Sequence, residues 1–339
     1  MRRDSAPRTV EVEAPAKVNL FLRVLGRRPD GYHDLETLVV PLKLADRVRV
    51  HARADRTASR TLSVSLEVTG EPELTRGVPV DETNLAVRAA HALARAAGVR
   101  GFAELAIDKR VPNAAGLGGG SADAAAVLRA LNDLWGCGMG PEELSAVAAA
   151  VGSDVPALLA AAPVLARGRG EVVEPANAAP RSWLLVTFSF GISTAEAFGW
   201  WDEDGAVTGP DPGPALAAAA AGDAAALGPL LANDLEAPVL RRRPVIAEAR
   251  ERLLAGGCAG AVLCGSGASM AGLLPPDAAF DPAEEAALAR LGMVQRVRSL
   301  GRSRSGRPGS AGPPRLERGS PGPKPGVAAD WTRAQTPSP

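Results

Sequence analysis

Apolar and polar positions alternate through the first fifty residues in three β-favouring stretches, Val18 to Val24, Leu35 to Leu42 and Arg47 to Val50. A turn is expected at Arg28-Pro29-Asp30-Gly31, and a further strand over Leu62 to Val68. The period then changes. Leu85, Ala89, Leu93 and Ala96 recur at helical spacing within Asn84 to Ala97, with Asp81 or Thr83 placed to cap that helix. Phe102 to Asp108 returns to strand alternation, and Ala122 to Leu134 carries Val127, Leu128, Leu131 and Leu134 on one helical face. The order is therefore strand, glycine-rich loop, helix. Pro141 to Val151 reads as a helix that opens on proline and acidic residues, both favoured at an N-terminus, and it ends at Gly152-Ser153-Asp154. Strand-like segments recur at Trp183 to Phe190 and Ala261 to Cys264, separated by helical stretches near Leu216 to Leu231 and Pro244 to Leu254. This second set predicts another α/β domain.

Composition narrows the classes. With 339 residues, 46% hydrophobic and 22% charged, the chain has room for two domains, each with its own core. The 38 basic and 38 acidic residues cancel, so the charge balance gives no reason to expect nucleic acid or an anionic membrane as partner. The charge is unevenly placed, however: Gln295 to Pro339 holds nine basic and two acidic residues, which leaves an acidic body. From about Ser299 the chain is dominated by Gly, Pro, Ser and Arg and cannot bury enough apolar area to offset the entropy of ordering it, so a disordered tail is expected. Trp331 is its only aromatic, which favours a solvated end over a nucleic-acid arm. Three cysteines, Cys137, Cys258 and Cys264, are too few for a disulfide framework and lack metal-ligand spacing. The alanine-rich run from Ala215 to Leu227 is too short for a membrane span and contains Asp223, and no signal core follows Arg2-Arg3. A cytoplasmic protein is expected.

The chemistry concentrates in the glycine loop. Pro112-Asn113-Ala114-Ala115-Gly116-Leu117-Gly118-Gly119-Gly120-Ser121-Ala122 places four glycines in five positions at a helix entrance. Such a backbone approaches a ligand closely and aims successive N–H groups at it, while the helix adds its partial positive end, an arrangement suited to polyphosphate. Ser121 can cap the helix, bond a phosphate oxygen or contact Mg²⁺. A flexible turn is the simpler account of the glycines alone. A Walker A loop would need a Gly-Lys pair that is absent here, and a dinucleotide fold would need an acidic strand end where Asp133 lies in a helix. Elsewhere, Lys17 is one of only four lysines among the basic residues and sits in an apolar strand, which points to a need for a compact ammonium rather than a planar guanidinium, a snorkelling lysine at a strand edge being an equal account on these grounds alone. Asp154 follows a helix and a glycine and precedes Val155-Pro156, a constrained turn that can aim a carboxylate into a cleft, although capping or solvation is the commoner use. Tyr32, the only tyrosine, stands beside His33 after the Pro-Asp-Gly turn.

Pro112 to Ser121 resembles the ATP-binding signature of the GHMP kinases, and Leu263-Cys264-Gly265-Ser266-Gly267-Ala268-Ser269 resembles that family's third glycine-rich motif. The segments Ala14 to Leu22, Arg27 to His33, Gly152 to Pro156 and Gly168 to Glu171 are similar to one branch of the family, which phosphorylates the 2-hydroxyl of a methylerythritol carried on cytidine diphosphate. The resemblance runs from about Val10 to Leu274. It implies an α+β, two-domain GHMP kinase fold, with a ribosomal protein S5 domain 2-like N-terminal domain over 1–165 and a ferredoxin-like C-terminal domain over 166–294, followed by the Arg/Gly/Pro-rich tail 295–339. It also implies ATP and Mg²⁺, a small-molecule substrate, and a monomer or homodimer. By resemblance Asp154 is the general base, and Lys17 orients the hydroxyl and pairs with Asp154. Pro112 to Ala122 then hold ATP. Asn19, Tyr32, His33, Thr194 and Phe198 hold the substrate, with Tyr32 and Phe198 stacking on either side of cytosine and His33 hydrogen-bonding it. Asn84 is placed near adenine or serves only as a helix start. Ala122 stands where the family often has a second serine. Another GHMP kinase, or a silent nucleotide-binding module, are the alternatives; Tyr32-His33 argues against the first and Lys17 with Asp154 against the second.

Overall fold

The computed structural model describes residues 7–55, 62–276 and 279–301. Two long strands, β1 (Arg8–Arg27) and β2 (His33–Ala54), form an antiparallel ribbon in place of the three shorter strands expected. Bulges at Pro15/Lys17, Asn19/Phe21 and Val24/Gly26 absorb the irregular positions, so the pairing continues past Pro41. β3 (Ser63–Gly70) lies parallel to β4 (Gly101–Lys109), which pairs with the second half of β2. β5 (Val164–Gly168) pairs with the first half of β2, and β6 (Val172–Pro175) extends from β5. The first sheet therefore runs past the boundary expected at 165.

β7 (Ser182–Thr187) opens the second sheet. The two-residue β8 (Ala232–Asn233) returns to lie parallel to β1 at Phe21 and Leu22, which joins this half of the chain to the first sheet. β9 (Gly260–Leu263), β10 (Ser269–Leu274) and β11 (Met293–Arg298) complete a four-stranded antiparallel sheet in the order β11-β7-β10-β9. Helices lie in the connections from β7 to β9 and from β10 to β11, giving the β-α-β-β-α-β order expected of a ferredoxin-like domain. The tail boundary at 295 is corrected: Gln295 to Arg298 pair with β7, Ser299 is buried against Arg181, and the Leu300 amide donates to the Pro41 carbonyl. In the strand Met293–Arg298, Val294 and Val297 point to opposite faces and pack on the two cores that flank this sheet, which outweighs the segment's basic composition. The rest of the expected tail lies outside the described residues.

Three of the four cores among the described residues explain the layers. Helices Leu85–Ala97, Gly119–Leu134 and Pro141–Val151 bury Leu93, Leu128, Leu131 and Ala148 on one face of the first sheet, against Val48, Val50, Leu105 and Ile107. A second core takes Val18, Leu20 and Leu38 from the first sheet together with Trp183, Leu185 and Ala271 from the second. Leu184, Val186 and Met270 face outward onto Trp201, Ile246 and Leu253. β7 is thus buried on both faces, as its unbroken apolar run requires. The helical stretch expected from Leu216 to Leu231 is broken into Gly213–Ala221, Ala224–Leu227 and a 3₁₀ turn, with Gly222 in the left-handed region and Asp223 capping the second piece.

Candidate active site

Between the two sheets lies a cleft of about 800 Å³ lined by Lys17, Asn19, Tyr32, His33, Asp154, Thr194, Phe198 and both glycine loops. Each side chain has a local reason to be there. Lys17 and Asn19, two apart on β1, share the side opposite Val18 and Leu20. Lys17 Nζ donates to Asn19 Oδ1 at 2.7 Å, Asn19 Nδ2 to Thr37 Oγ1 at 2.8 Å, and Thr37 Oγ1 to the Phe21 carbonyl at 2.6 Å. This chain satisfies three buried polar groups and fixes the ammonium at the cleft floor. The Lys17–Asp154 pair expected is not formed: among the described residues the Lys17 ammonium is bonded to Asn19 instead. Asp154 sits at the N-cap of the short helix Val155–Leu159, yet its side chain makes no capping bond and stands exposed in the cleft. The backbone angles there are helical, which turns the carboxylate away from the free amides.

The first loop is held by contact with the second. Gly116 has φ +73°, and a Cβ there would lie 1.9 Å from the Cys264 carbonyl oxygen, so only glycine fits. On the other loop, a Cβ at Gly265 would lie 2.7 Å from Lys17 Nζ. The Lys17 amide also donates to the Leu117 carbonyl at 2.9 Å, tying β1 to the loop. Helix Gly119–Leu134 has Gly118 as its N-cap and no side-chain cap, leaving first-turn amides beside the cleft for an anion. Pro112 to Gly116 and Gly118 to Ser121 line the cleft. Leu117 and Ala122 do not: Leu117, in the loop before the helix, is buried in the core between the sheets, and Ala122, on the inward face of the helix, in the core under the helices. Asn84, rather than Asp81 or Thr83, caps helix Leu85–Ala97 by accepting from the Ala86 amide at 2.8 Å, while its own amide donates to the Pro79 carbonyl. Asp81 is engaged with Thr83.

At the far end, the turn Arg28 to Tyr32 closes with the Arg28 amide on the Tyr32 carbonyl, and Asp30 accepts from the Tyr32 amide at 3.1 Å. This sets Tyr32 and His33 at the head of β2. Helix Thr194–Glu203 begins with a capping box between Ser193 and Glu196, and its four-residue spacing places Thr194, Phe198 and Asp202 along the cleft while Ala197 and Trp201 face the core. Phe198 stacks on the His33 ring at 4.7 Å, and Tyr32 lies under the Arg169 guanidinium at 4.7 Å. The facing Tyr32 and Phe198 expected from the resemblance are thus each occupied by another partner. Thr194 Oγ1 lies 3.4 Å from Ser266 Oγ, bringing the helix to the second loop.

Three groups escaped sequence reading. Lys109, at the end of β4, is buried between Asp46 and Asp123, and Asp46 also accepts from the Arg110 and Val111 amides at 2.6 and 2.8 Å. Burial opposes the Lys109 charge, but Asp123 and Asp46 outweigh it and hold the ammonium above its ordinary range. Burial pushes the Asp123 carboxyl up to about 7 against the pull of Lys109. This cluster anchors the strand before the loop to the helix after it. The scarcity of lysine flagged Lys17 and applies equally to Lys109. Asn233 is the second: it donates to the Leu263 and Gly265 carbonyls at 2.9 and 2.7 Å and so holds the second loop. Its signal was a polar doublet, Asn233-Asp234, inside an apolar run. Asp202 is the third, with Oδ1 at 2.9 Å from His33 Nε2. Burial pushes the Cys258 and Cys264 thiols up to about 12, which removes them as nucleophiles.

The model for "GHMP kinases N terminal domain" matches residues 84–161 and that for "GHMP kinases C terminal" matches 215–291. A 4-diphosphocytidyl-2-C-methyl-D-erythritol kinase of Symbiobacterium thermophilum is 42% identical over 268 residues, 78% of this chain and 91% of the relative. One of Nocardia farcinica is 42% identical over 302 residues, 86% of this chain and 94% of the relative. A crystal structure of 4-(cytidine 5'-diphospho)-2C-methyl-D-erythritol kinase superposes with a TM-score of 0.67 at 35% identity, covering 86% of this chain and all of that one. Between them the two family models span both glycine loops, and the chain belongs to the GHMP kinase family, within its 4-diphosphocytidyl-2-C-methyl-D-erythritol kinases.

Proposed function

We propose that this protein transfers the γ-phosphate of ATP to the 2-hydroxyl of 4-diphosphocytidyl-2-C-methyl-D-erythritol, in the supply of isoprenoid precursors by the non-mevalonate route. The observation that carries this reading is the single cleft in which a phosphate-suited loop, a fixed ammonium, an uncapped carboxylate and an aromatic end are continuous. The cleft-lining backbone from Pro112 to Gly116 and from Gly118 to Ser121 receives the triphosphate on its free amides. Asp154 takes the hydroxyl proton, and Lys17, held by Asn19, stabilises the charge that develops on the attacking oxygen. Tyr32, His33, Phe198 and Thr194 grip the cytidyl end. This places most of the catalysis in positioning and charge neutralisation, as phosphoryl transfer requires.

Among the described residues no cluster of His, Cys, Asp or Glu could hold a metal by itself. Mg²⁺ fits this site as an ion delivered on the ATP phosphates, with the Ser121 hydroxyl as the protein's contact, and it would neutralise phosphate charge there. No described helix is long and apolar enough to cross a membrane, and the three cysteines are free, which suits a reducing cytoplasm.

The test is ATP consumption with purified protein against a panel containing the cytidyl substrate, mevalonate, homoserine and free sugars. Turnover is expected with the cytidyl substrate alone; equal use of the others overturns the reading. Asp154→Asn should leave nucleotide affinity within a few-fold and lower turnover by about 10²-fold or more. Unchanged turnover removes Asp154 from the mechanism.

A further inference from the structure

We propose that Asp202 is a specificity-determining positioning residue: by accepting a hydrogen bond from the Nε2–H of His33 it leaves Nδ1 as a lone-pair acceptor, which selects cytosine over uracil. The inference rests on the reading that His33 faces the base of the substrate. The geometry constrains the imidazole on three sides. Phe198 stacks on its face at 4.7 Å, the Trp201 ring meets it edge-on at 5.6 Å, and Asp202 Oδ1 takes Nε2 at 2.9 Å. The other oxygen, Oδ2, lies 3.7 Å from Arg27 Nη1, which holds the carboxylate from behind. Among the described residues no group bonds Nδ1, and His33 lines the cleft.

An ionised carboxylate only accepts, so the nitrogen facing it carries the hydrogen, and in the neutral ring the second nitrogen is then an acceptor. Cytosine presents an exocyclic N4 amino donor where uracil presents an O4 acceptor. An Nδ1 lone pair pairs with the first and opposes the second. A site built to bond one partner rejects the analogue that leaves its polar group unpaired. The aromatic contacts distinguish nothing, since both bases have a stacking face.

The experiment compares kcat/KM for the cytidyl substrate and its uridyl analogue in the wild type, Asp202→Asn and Asp202→Ala. The wild type should favour the cytidyl substrate by about tenfold or more. In Asp202→Asn the Arg27 guanidinium favours the amide oxygen on its own side, which turns the amide NH2 toward Nε2, moves the ring proton to Nδ1 and suits uracil. The cytidyl-to-uridyl ratio should therefore fall about tenfold or more while KM for ATP changes less than about twofold. Asp202→Ala should also lower the ratio. A purely structural role would depress both substrates equally, and a ratio within about twofold of wild type in Asp202→Asn overturns the proposal. Imidazole ¹⁵N spectra of the wild type give a second measurement independent of variant folding, with His33 among three histidines identified by its loss in His33→Gln. A neutral His33 protonated at Nε2 supports the proposal, and one protonated at Nδ1 overturns it. A wild type that turns over neither substrate overturns the functional reading itself, whereas cytidyl turnover with an unchanged ratio in Asp202→Asn overturns this inference alone.

Discussion

Lys17 shows how tightly one residue is specified. Its ammonium is bonded to Asn19 at 2.7 Å, and the second glycine loop approaches so closely that a methyl on Gly265 would sit 2.7 Å away. A planar guanidinium needs more room than that, so Lys17→Arg should lower kcat by about tenfold or more with a smaller change in KM for ATP, read from steady-state kinetics. Asp123 makes a prediction about pH. Its carboxyl is pushed from 3.8 up to about 7 by burial, so the folded protein keeps a proton that the unfolded chain releases across that window. Its contribution to stability therefore falls as pH rises from 3.8 to about 7, and is fully lost above it. Asp123→Asn removes the titration. The urea midpoint of wild type relative to this variant should decline with rising pH over that range; a constant difference would count against it. Lys17 and Asp154 were readable in the sequence by residue type and local motif, but the absence of a direct pair between them was not, because it depends on Asn19 reaching the ammonium first.

At the level of elements, the glycine loop and the helix after it were legible because strand alternation, glycines and helical periodicity follow one another without a gap. What holds that loop was not. Gly116 packs on the Cys264 carbonyl, a contact across almost 150 positions that no local pattern encodes. Gly116→Ala combines a left-handed φ with a backbone clash and should cost roughly 2 kcal/mol or more, visible as a lowered melting temperature together with a raised KM for ATP. Loss of stability without a change in ATP KM would show that the two loops are not coupled at the nucleotide. Helix Thr194–Glu203 was not expected from the sequence, which singled out only Thr194 and Phe198 within it. Its capping box fixes the start, so Ser193→Ala should destabilise by about 1 kcal/mol and weaken the cytidyl substrate more than ATP. Helix Leu85–Ala97 was placed correctly in the sequence but given the wrong cap, since Asp, Thr and Asn are all good caps and only the chain path brings Asn84 to the Ala86 amide.

For the whole molecule, the cleft exists because two sheets share one core. β8 returns to pair with β1, and Leu42 bridges to Ser299, so the C-terminal described residues are part of the join. A chain ending at Gly292 should therefore be markedly less stable than one ending at Gly301, because it strips β11 from β7; equal melting temperatures would overturn this. By itself the sequence determined the helices Leu85–Ala97, Pro141–Val151 and Pro244–Ala255, the strands β4 and β7 and the glycine loop with the helix after it, along with the residue types able to do phosphoryl transfer, because these follow from short-range periodicity and from what Gly, Lys and Asp can do locally; β5, β6, β10, β11 and the helices Thr194–Glu203 and Pro282–Leu291 were not read from it. Only the tertiary structure decided which of those residues meet. The Lys109 cluster, the Asn233 brace, the hold of Asp202 on His33 and the inward turn of Leu117 and Ala122 all depend on contacts between segments far apart in the chain or on which face of an element is buried. Burial and hydrogen-bond satisfaction set these contacts, and both are properties of the packed molecule rather than of any stretch of it.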